Sequence, residues 1–180
     1  MSRVGKTRIA EGLVARHGYR HIELDRFVGA LYSVKEAEDR GRFRDAFYGS
    51  LLSPVRGGFV IEGDDVVIED RWAASPTFGD EPVGLAFLAR LRHTYGVPVF
   101  VVGQADADPQ KKVASLKEDD GWVTTLSVAE LQHYAEALVR RSRELRSQAD
   151  ALNIPYLEVG VGDFETSIES HALDLARWHP

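Results

Sequence analysis

Met1-Ser2-Arg3-Val4-Gly5-Lys6-Thr7 opens the chain, and Arg8-Ile9-Ala10-Glu11-Gly12-Leu13 follows it. Gly-Lys-Thr running into an amphipathic segment reads as the last part of a phosphate-binding loop at the start of a helix. The full pattern is Gly, four residues, then Gly-Lys-Ser/Thr. Here the first Gly falls one position before Met1. The expectation is a chain that starts inside its own motif, without the strand that normally feeds such a loop.

The residue types suit the chemistry. Backbone N–H groups of a Gly-containing turn and of a helix start form a concave positive site for phosphate. Gly5 allows close approach and unusual dihedrals. Lys6 has the reach for β- and γ-phosphates, and the Thr7 hydroxyl suits Mg²⁺. A surface turn with an exposed Lys is the plainer alternative, so the downstream order has to decide.

Length suits one domain over residues 1–180, with a buried core. Apolar residues make up 44% and charged residues 28%, an ordinary soluble balance. A net charge of −6 argues against non-specific nucleic-acid binding, though a local cradle can still hold a small anion. The absence of cysteine excludes disulfides, thiolate metal sites and Cys nucleophiles. No apolar run approaches the ~20 residues of a membrane span, and no signal peptide is evident. The expectation is a cytoplasmic protein with no membrane partner.

Working outward, Ile9, Ala10, Leu13 and Val14 recur at helical spacing before Gly18 stops the helix. Tyr19 to Asp25 reads as a short strand ending in a carboxylate. Residues 26–53 read as helical, with Phe27, Ala30, Leu31 and Val34 on one face. Phe59-Val60-Ile61-Glu62-Gly63 is a buried-strand candidate ending in an acid. Val66-Val67-Ile68 is a second apolar run, and residues 70–82 read as loop. Val83 to Tyr95 is a helix, and Val97 to Gly103 is the strongest strand, apolar enough to be covered on both faces. Residues 104–126 are polar and read as a mobile segment with a helical turn or two. Ser127 with Glu130 forms a capping box for a helix running to about Leu152. Tyr156 to Val159 is the last strand, and Phe164 to Trp178 the last helix.

Helices alternating with strands predict parallel β-α units. The fold class expected is α/β, a three-layer α/β/α arrangement with helices on both faces of a parallel sheet. Ligands in such sheets bind at the carboxyl ends of strands. Asp25, Glu62 to Asp65 and Gly103-Gln104 then share a rim with Gly5-Lys6-Thr7.

With these residues placed, the chain resembles the P-loop kinases of small molecules, the group that includes adenylate, shikimate and gluconate kinases. The motif-grade part is Gly5-Lys6-Thr7; the rest of the likeness is pattern. The resemblance implies that Asp25, in Leu24-Asp25-Arg26-Phe27, touches the acceptor or Mg²⁺. It implies that Val60-Ile61-Glu62-Gly63 ends a site strand, that residues 104–122 form a lid, and that an Arg of the following helix faces phosphate. It also places the missing first strand mid-sheet, between the counterparts of residues 59–63 and 98–103. Residues 104–122 contain Lys111, Lys112 and Lys117 but no Arg. Lys offers a point charge rather than a bidentate fork.

Lys6 and Asp25 are the catalytic candidates, Asp25 as general base or orienter of an acceptor hydroxyl. Asp25 also suits a helix N-cap. Gly5, Lys6, Thr7, Arg8, Arg140 and Arg143 are candidates for holding ATP. Asp25, Arg26, Glu62, Lys111 and Lys112 are candidates for the acceptor, with Arg44 beside them. Thr7, Glu62 and Asp64, with Asp65 nearby, are the Mg²⁺ candidates. A solvated acidic turn and solvated charged faces are the alternatives for these groups. The six histidines show no metal spacing and read as structural. Three functions fit: an ATP- and Mg²⁺-dependent kinase of a small-molecule hydroxyl or phosphate, a nucleotide-binding relative without catalysis, and a nucleotide hydrolase.

Overall fold

The computed structural model describes residues 5–23, 46, 59–62, 85–117, 122–161 and 163–176. The elements read at 24–45, 47–58 and 63–84 lie outside these residues, as do Asp25, Arg26, Arg44, Asp64 and Asp65.

Helix α1, Lys6–His17, starts at Gly5 and stops at Gly18, both left-handed with φ of 87° and 65°. The Gly18 N–H closes on the Val14 carbonyl at 2.8 Å, as a glycine stop does. Strands β1, Arg20–Glu23, and β2, Phe59–Glu62, pair in parallel, with Arg20 opposite Phe59 and Glu23 opposite Glu62. Helix α2 covers Leu85–Tyr95 and strand β3 covers Val101–Gly103. Helix α3, Pro109–Lys117, leads through a 3-10 turn, Trp122–Thr125, to the 24-residue helix α4, Val128–Ala151. Strand β4, Tyr156–Glu158, pairs in parallel with β3, Val101 opposite Tyr156 and Gly103 opposite Glu158. Helix α5, Phe164–Ala176, is the last described element.

The chain is therefore a mixed α/β protein whose described strands pair in parallel. They form two separate pairs, β1–β2 and β3–β4, rather than one sheet. The division falls between β2 and β3.

Among the described residues, three apolar clusters hold the elements. On α4, Leu131, Ala135, Leu138, Ser142, Leu145 and Ala149 are buried at spacings of three and four, one stripe along the helix. Its first half packs Leu131, Ala135 and Leu138 against Leu116 of α3 and Val123 of the 3-10 turn. Its second half packs Leu145 and Ala149 against Leu85, Val101 and Ile154. The third cluster joins Ile9 of α1 to Val159, Ile168 and Ala172. Each Leu, Ile or Val among them contributes about 1.5–3 kcal/mol when fully buried. Val102 touches both the second and third clusters, so β3 links the α4 side to the α1–α5 side.

Two sequence expectations change. The strand read over Val97 to Gly103 is only Val101–Gly103. A strand extends only as far as its pairing, and its partner β4 has three residues, preceded by Pro155, which has no N–H to give. The segment read as mobile contains α3, nine residues long and packed on α4. Asp108-Pro109 starts it: Asp108 Oδ1 accepts from the Gln110 N–H at 2.8 Å and Pro109 is the first helical residue.

Candidate functional site

The start of α1 is fixed by close packing. A Cβ on Gly5 would lie 2.4 Å from Ile168 Cδ1 and 3.2 Å from Phe164 Cζ, and the φ of 87° independently favours glycine. One α-helical face further along, a Cβ on Gly12 would lie 3.1 Å from Ala172 Cβ. Two glycines therefore let α1 lie close against α5. Helix α5 begins six residues after β4 ends. Since Gly5 packs on its first two turns, α1 also begins at the carboxyl end of β4. Lys6 is half-buried there and Thr7 is exposed. Arg8 reaches Glu165 of α5 at 2.8 Å, an ion pair open to solvent.

A polar network occupies the carboxyl ends of β3 and β4. Glu158, the last residue of β4, accepts from the N–H groups of Ala105 and Asp106 at 3.0 and 3.1 Å. Arg143 Nε of α4 donates to the Ala105 carbonyl at 2.9 Å. Arg146 donates to both Asp106 carboxylate oxygens at 2.8 Å and lies 3.8 Å from Glu158. From the other side, the His171 Nε2–H donates to the Glu158 carbonyl at 2.6 Å. Burial pushes the Glu158 carboxyl above its ordinary value, against the opposing pull of the two N–H bonds. Burial first, then the Glu158 charge, pushes the Tyr156 hydroxyl up to about 12. Gln104 is 2% exposed, its N–H donating to Ser142 Oγ at 3.1 Å.

Gly5, Lys6, Thr7 and Arg8 thus stand together at one helix start, and Glu62 closes β2 in register with Glu23. The α4 arginines divide. Arg140 is exposed, Arg141 pairs with Glu144 at 3.1 Å, and Arg143 and Arg146 hold the turn after β3. Arg143 was expected to face phosphate; its Nε serves a backbone carbonyl instead. Lys111 is exposed on α3, whereas Lys112 is 2% exposed on the inward face with Leu116. The i, i+4 spacing of Lys112 and Leu116 puts both on the side that packs on α4, which departs from a substrate-facing Lys112. Among the described residues no three His, Asp or Glu side chains gather as a metal cage. Mg²⁺ held mainly by phosphate and water does not require one. No described helix is long and apolar enough to cross a membrane.

Sequence reading missed Glu158 and the state of Gln104. Glu158 ends its strand just as Glu62 does, and that rule applied to both would have found it. Nothing in sequence reveals that a particular glutamine is buried.

No family model matches this chain, and no curated protein or solved structure matches it.

Proposed function

We propose that the chain is a P-loop phosphotransferase of the three-layer α/β/α kind, using ATP and Mg²⁺ on a small-molecule acceptor. The observation that carries this reading is the start of α1. Left-handed Gly5 turns the backbone into a helix whose first turn carries Lys6 and Thr7, at the carboxyl end of a parallel strand pair. That is where a helix dipole and its N–H groups favour an anion.

The residues present fit a nucleotide phosphate. The N–H groups opening α1 would cradle it, Lys6 would offset its charge, and Thr7 would reach the metal. Bound Mg²⁺ would supply charge neutralisation on the phosphates. Asp25, which the sequence reading puts at the end of the first strand, and Glu62, the last residue of β2, would orient the acceptor.

Calorimetric titration with Mg·ATP on this chain and on Lys6→Ala tests the reading. Binding to the unaltered chain and a loss of tenfold or more in Lys6→Ala is the expected result. No binding to the unaltered chain overturns it. A nucleotide-binding role without transfer is the second reading, favoured by the engagement of Arg143 and Arg146 within the protein. It predicts binding with no product from any acceptor.

A further inference from the structure

Helices α1 and α5 lie side by side and run the same way. Gly5 packs against Phe164 and Ile168, Ile9 shares a cluster with Ile168 and Ala172, and Gly12 packs against Ala172. The contacts climb both helices together, so both helix starts stand at one end of the pair. The two starts differ in charge. The first turn of α5 carries Glu165, whereas the first turn of α1 carries no acid.

Arg8 crosses between them. It donates to Glu165 at 2.8 Å from the third position of α1. Phe164 and Ile168, which pack on Gly5, bracket Glu165 in sequence, so Glu165 stands level with the opening of α1. Helical side chains lean toward the N-terminus, and the Arg8 guanidinium is drawn back in that sense to lie beside the opening turn. Among the described residues one N–H of its fork is engaged, and the Glu165 carboxylate has no second partner.

The strengths of the two possible partners decide where the guanidinium goes. Both side chains of the pair are more than half exposed, and a pair of this kind is weak and screened by salt. A phosphate is the stronger partner: the planar fork takes two of its oxygens at once, and its charge is larger. A phosphate at Gly5-Lys6-Thr7 would therefore meet a cation already beside the turn and held there only by a weak partner.

We propose that the Arg8–Glu165 pair is an exchangeable latch on the phosphate site. Glu165 holds the guanidinium while the site is empty. When phosphate binds, Arg8 leaves Glu165 and forks two phosphate oxygens. Arg8 is then a ligand contact, and Glu165 is a positioning residue that sets the affinity without touching the ligand. The latch rests on the phosphate-binding reading of Gly5-Lys6-Thr7.

The test uses the full chain with Glu165→Gln, Arg8→Ala and the two together, titrated calorimetrically with Mg·ATP and with magnesium tripolyphosphate. Glu165→Gln should bind both ligands about two- to fivefold more tightly, because Arg8 is released. Arg8→Ala should bind them about tenfold more weakly. The double variant should bind as Arg8→Ala alone does, since Glu165 acts only through Arg8. Ligand-free thermal midpoints should move by less than about 2 °C, the pair being exposed. Glu165→Ala repeats the comparison without the hydrogen bonding that an amide retains. An equal gain from Glu165→Gln with and without Arg8 overturns the latch, because the carboxylate then acts on the phosphate through space. Unchanged affinity in Glu165→Gln or in Arg8→Ala also overturns it, and a loss confined to Lys6→Ala leaves the phosphate-binding reading standing. Absence of binding by the unaltered chain overturns both.

Discussion

Two helices of this protein begin in opposite ways. At α4, the Glu130 N–H donates to Ser127 Oγ at 3.3 Å, and the Glu130 carboxylate accepts from the Ser127 N–H at 2.8 Å and from its hydroxyl at 2.6 Å. That start is closed by its own side chains. At α1, Gly5 supplies no side-chain cap and the first turn contains no acid. A cap contributes about 1 kcal/mol, and α1 lacks it at the end of the strand pair where a parallel α/β protein binds its ligands. The difference separates a helix start that serves only the fold from one whose electrostatics favour an incoming anion. It also shows how α1 is stabilised without a cap: by apposition to α5 through Gly5, Ile9 and Gly12.

The strongest way to break the comparison is Gly5→Ala. A left-handed non-glycine residue costs about 1–2 kcal/mol, and forcing a methyl against Ile168 adds about 1–3. A loss of roughly 2–5 kcal/mol in urea denaturation is expected from the sum. Pairing it with Ile168→Ala separates the terms. The double variant should recover the steric part and keep the backbone part, so its loss relative to Ile168→Ala alone is the smaller figure.

Ser127→Ala is the matching change at the closed start, and about 1 kcal/mol is expected. For a chain of this size that is a fall of about 2–4 °C in melting temperature. Ligand-dependent stabilisation should be untouched, because Ser127 serves only its helix. If Ser127→Ala abolished the Mg·ATP response, the distinction between the two starts would fail.

A subtler contrast lies in two carboxylates that each hold backbone N–H groups. Hydrogen bonds to the Ser127 hydroxyl and N–H hold Glu130 below its ordinary 4.5. Its contribution is present above that value and is lost as pH falls through the folded pKa. Burial holds Glu158 above 4.5. Its contribution runs the other way: full below 4.5 and lost as pH rises through the folded pKa. Glu130→Gln should therefore flatten the stability profile on the acid side of 4.5, and Glu158→Gln should flatten it on the other side. Urea midpoints across mildly acidic pH read both slopes. Like-signed changes would mean that the Glu158 clasp is governed by its N–H bonds rather than by its burial.

How much of this was legible in the sequence follows the range of each interaction. The capping box of α4 was legible because Ser127 and Glu130 are three residues apart. Gly5-Lys6-Thr7 was legible as a motif, and the Gly18 stop as a glycine ending an apolar period. The extent of β3 was not, because it is set by β4, more than fifty residues away. Helix α3 was read only as a helical turn or two in a mobile segment although Asp108-Pro109 announces it, because Lys112 shares its buried face with Leu116 where an apolar residue would have marked the stripe. Lys112 was a candidate for the acceptor, with a solvated face as the alternative, and it is buried. Arg143 was a phosphate candidate, and its Nε donates to the Ala105 carbonyl from across the fold. The burial of Gln104 is a property of packing, and no local pattern encodes it.

The smallest expected effect sharpens the comparison most. Arg8 and Glu165 bridge α1 and α5 at 2.8 Å, with 56% and 66% of their side chains exposed. Exposed pairs of this kind contribute about 0–1 kcal/mol and are screened by salt. Arg8→Ala should therefore change stability by less than about 0.5 kcal/mol, and less still at high salt. Packing through Gly5, Ile9 and Gly12 would then account for the hold on α1. A loss above about 1 kcal/mol would mean that a side-chain bridge does at α1 what the capping box does at α4. The open start would then be closed by another route. With stability nearly unchanged, any weakening of Mg·ATP binding in Arg8→Ala belongs to the ligand, and calorimetry on that variant measures it directly.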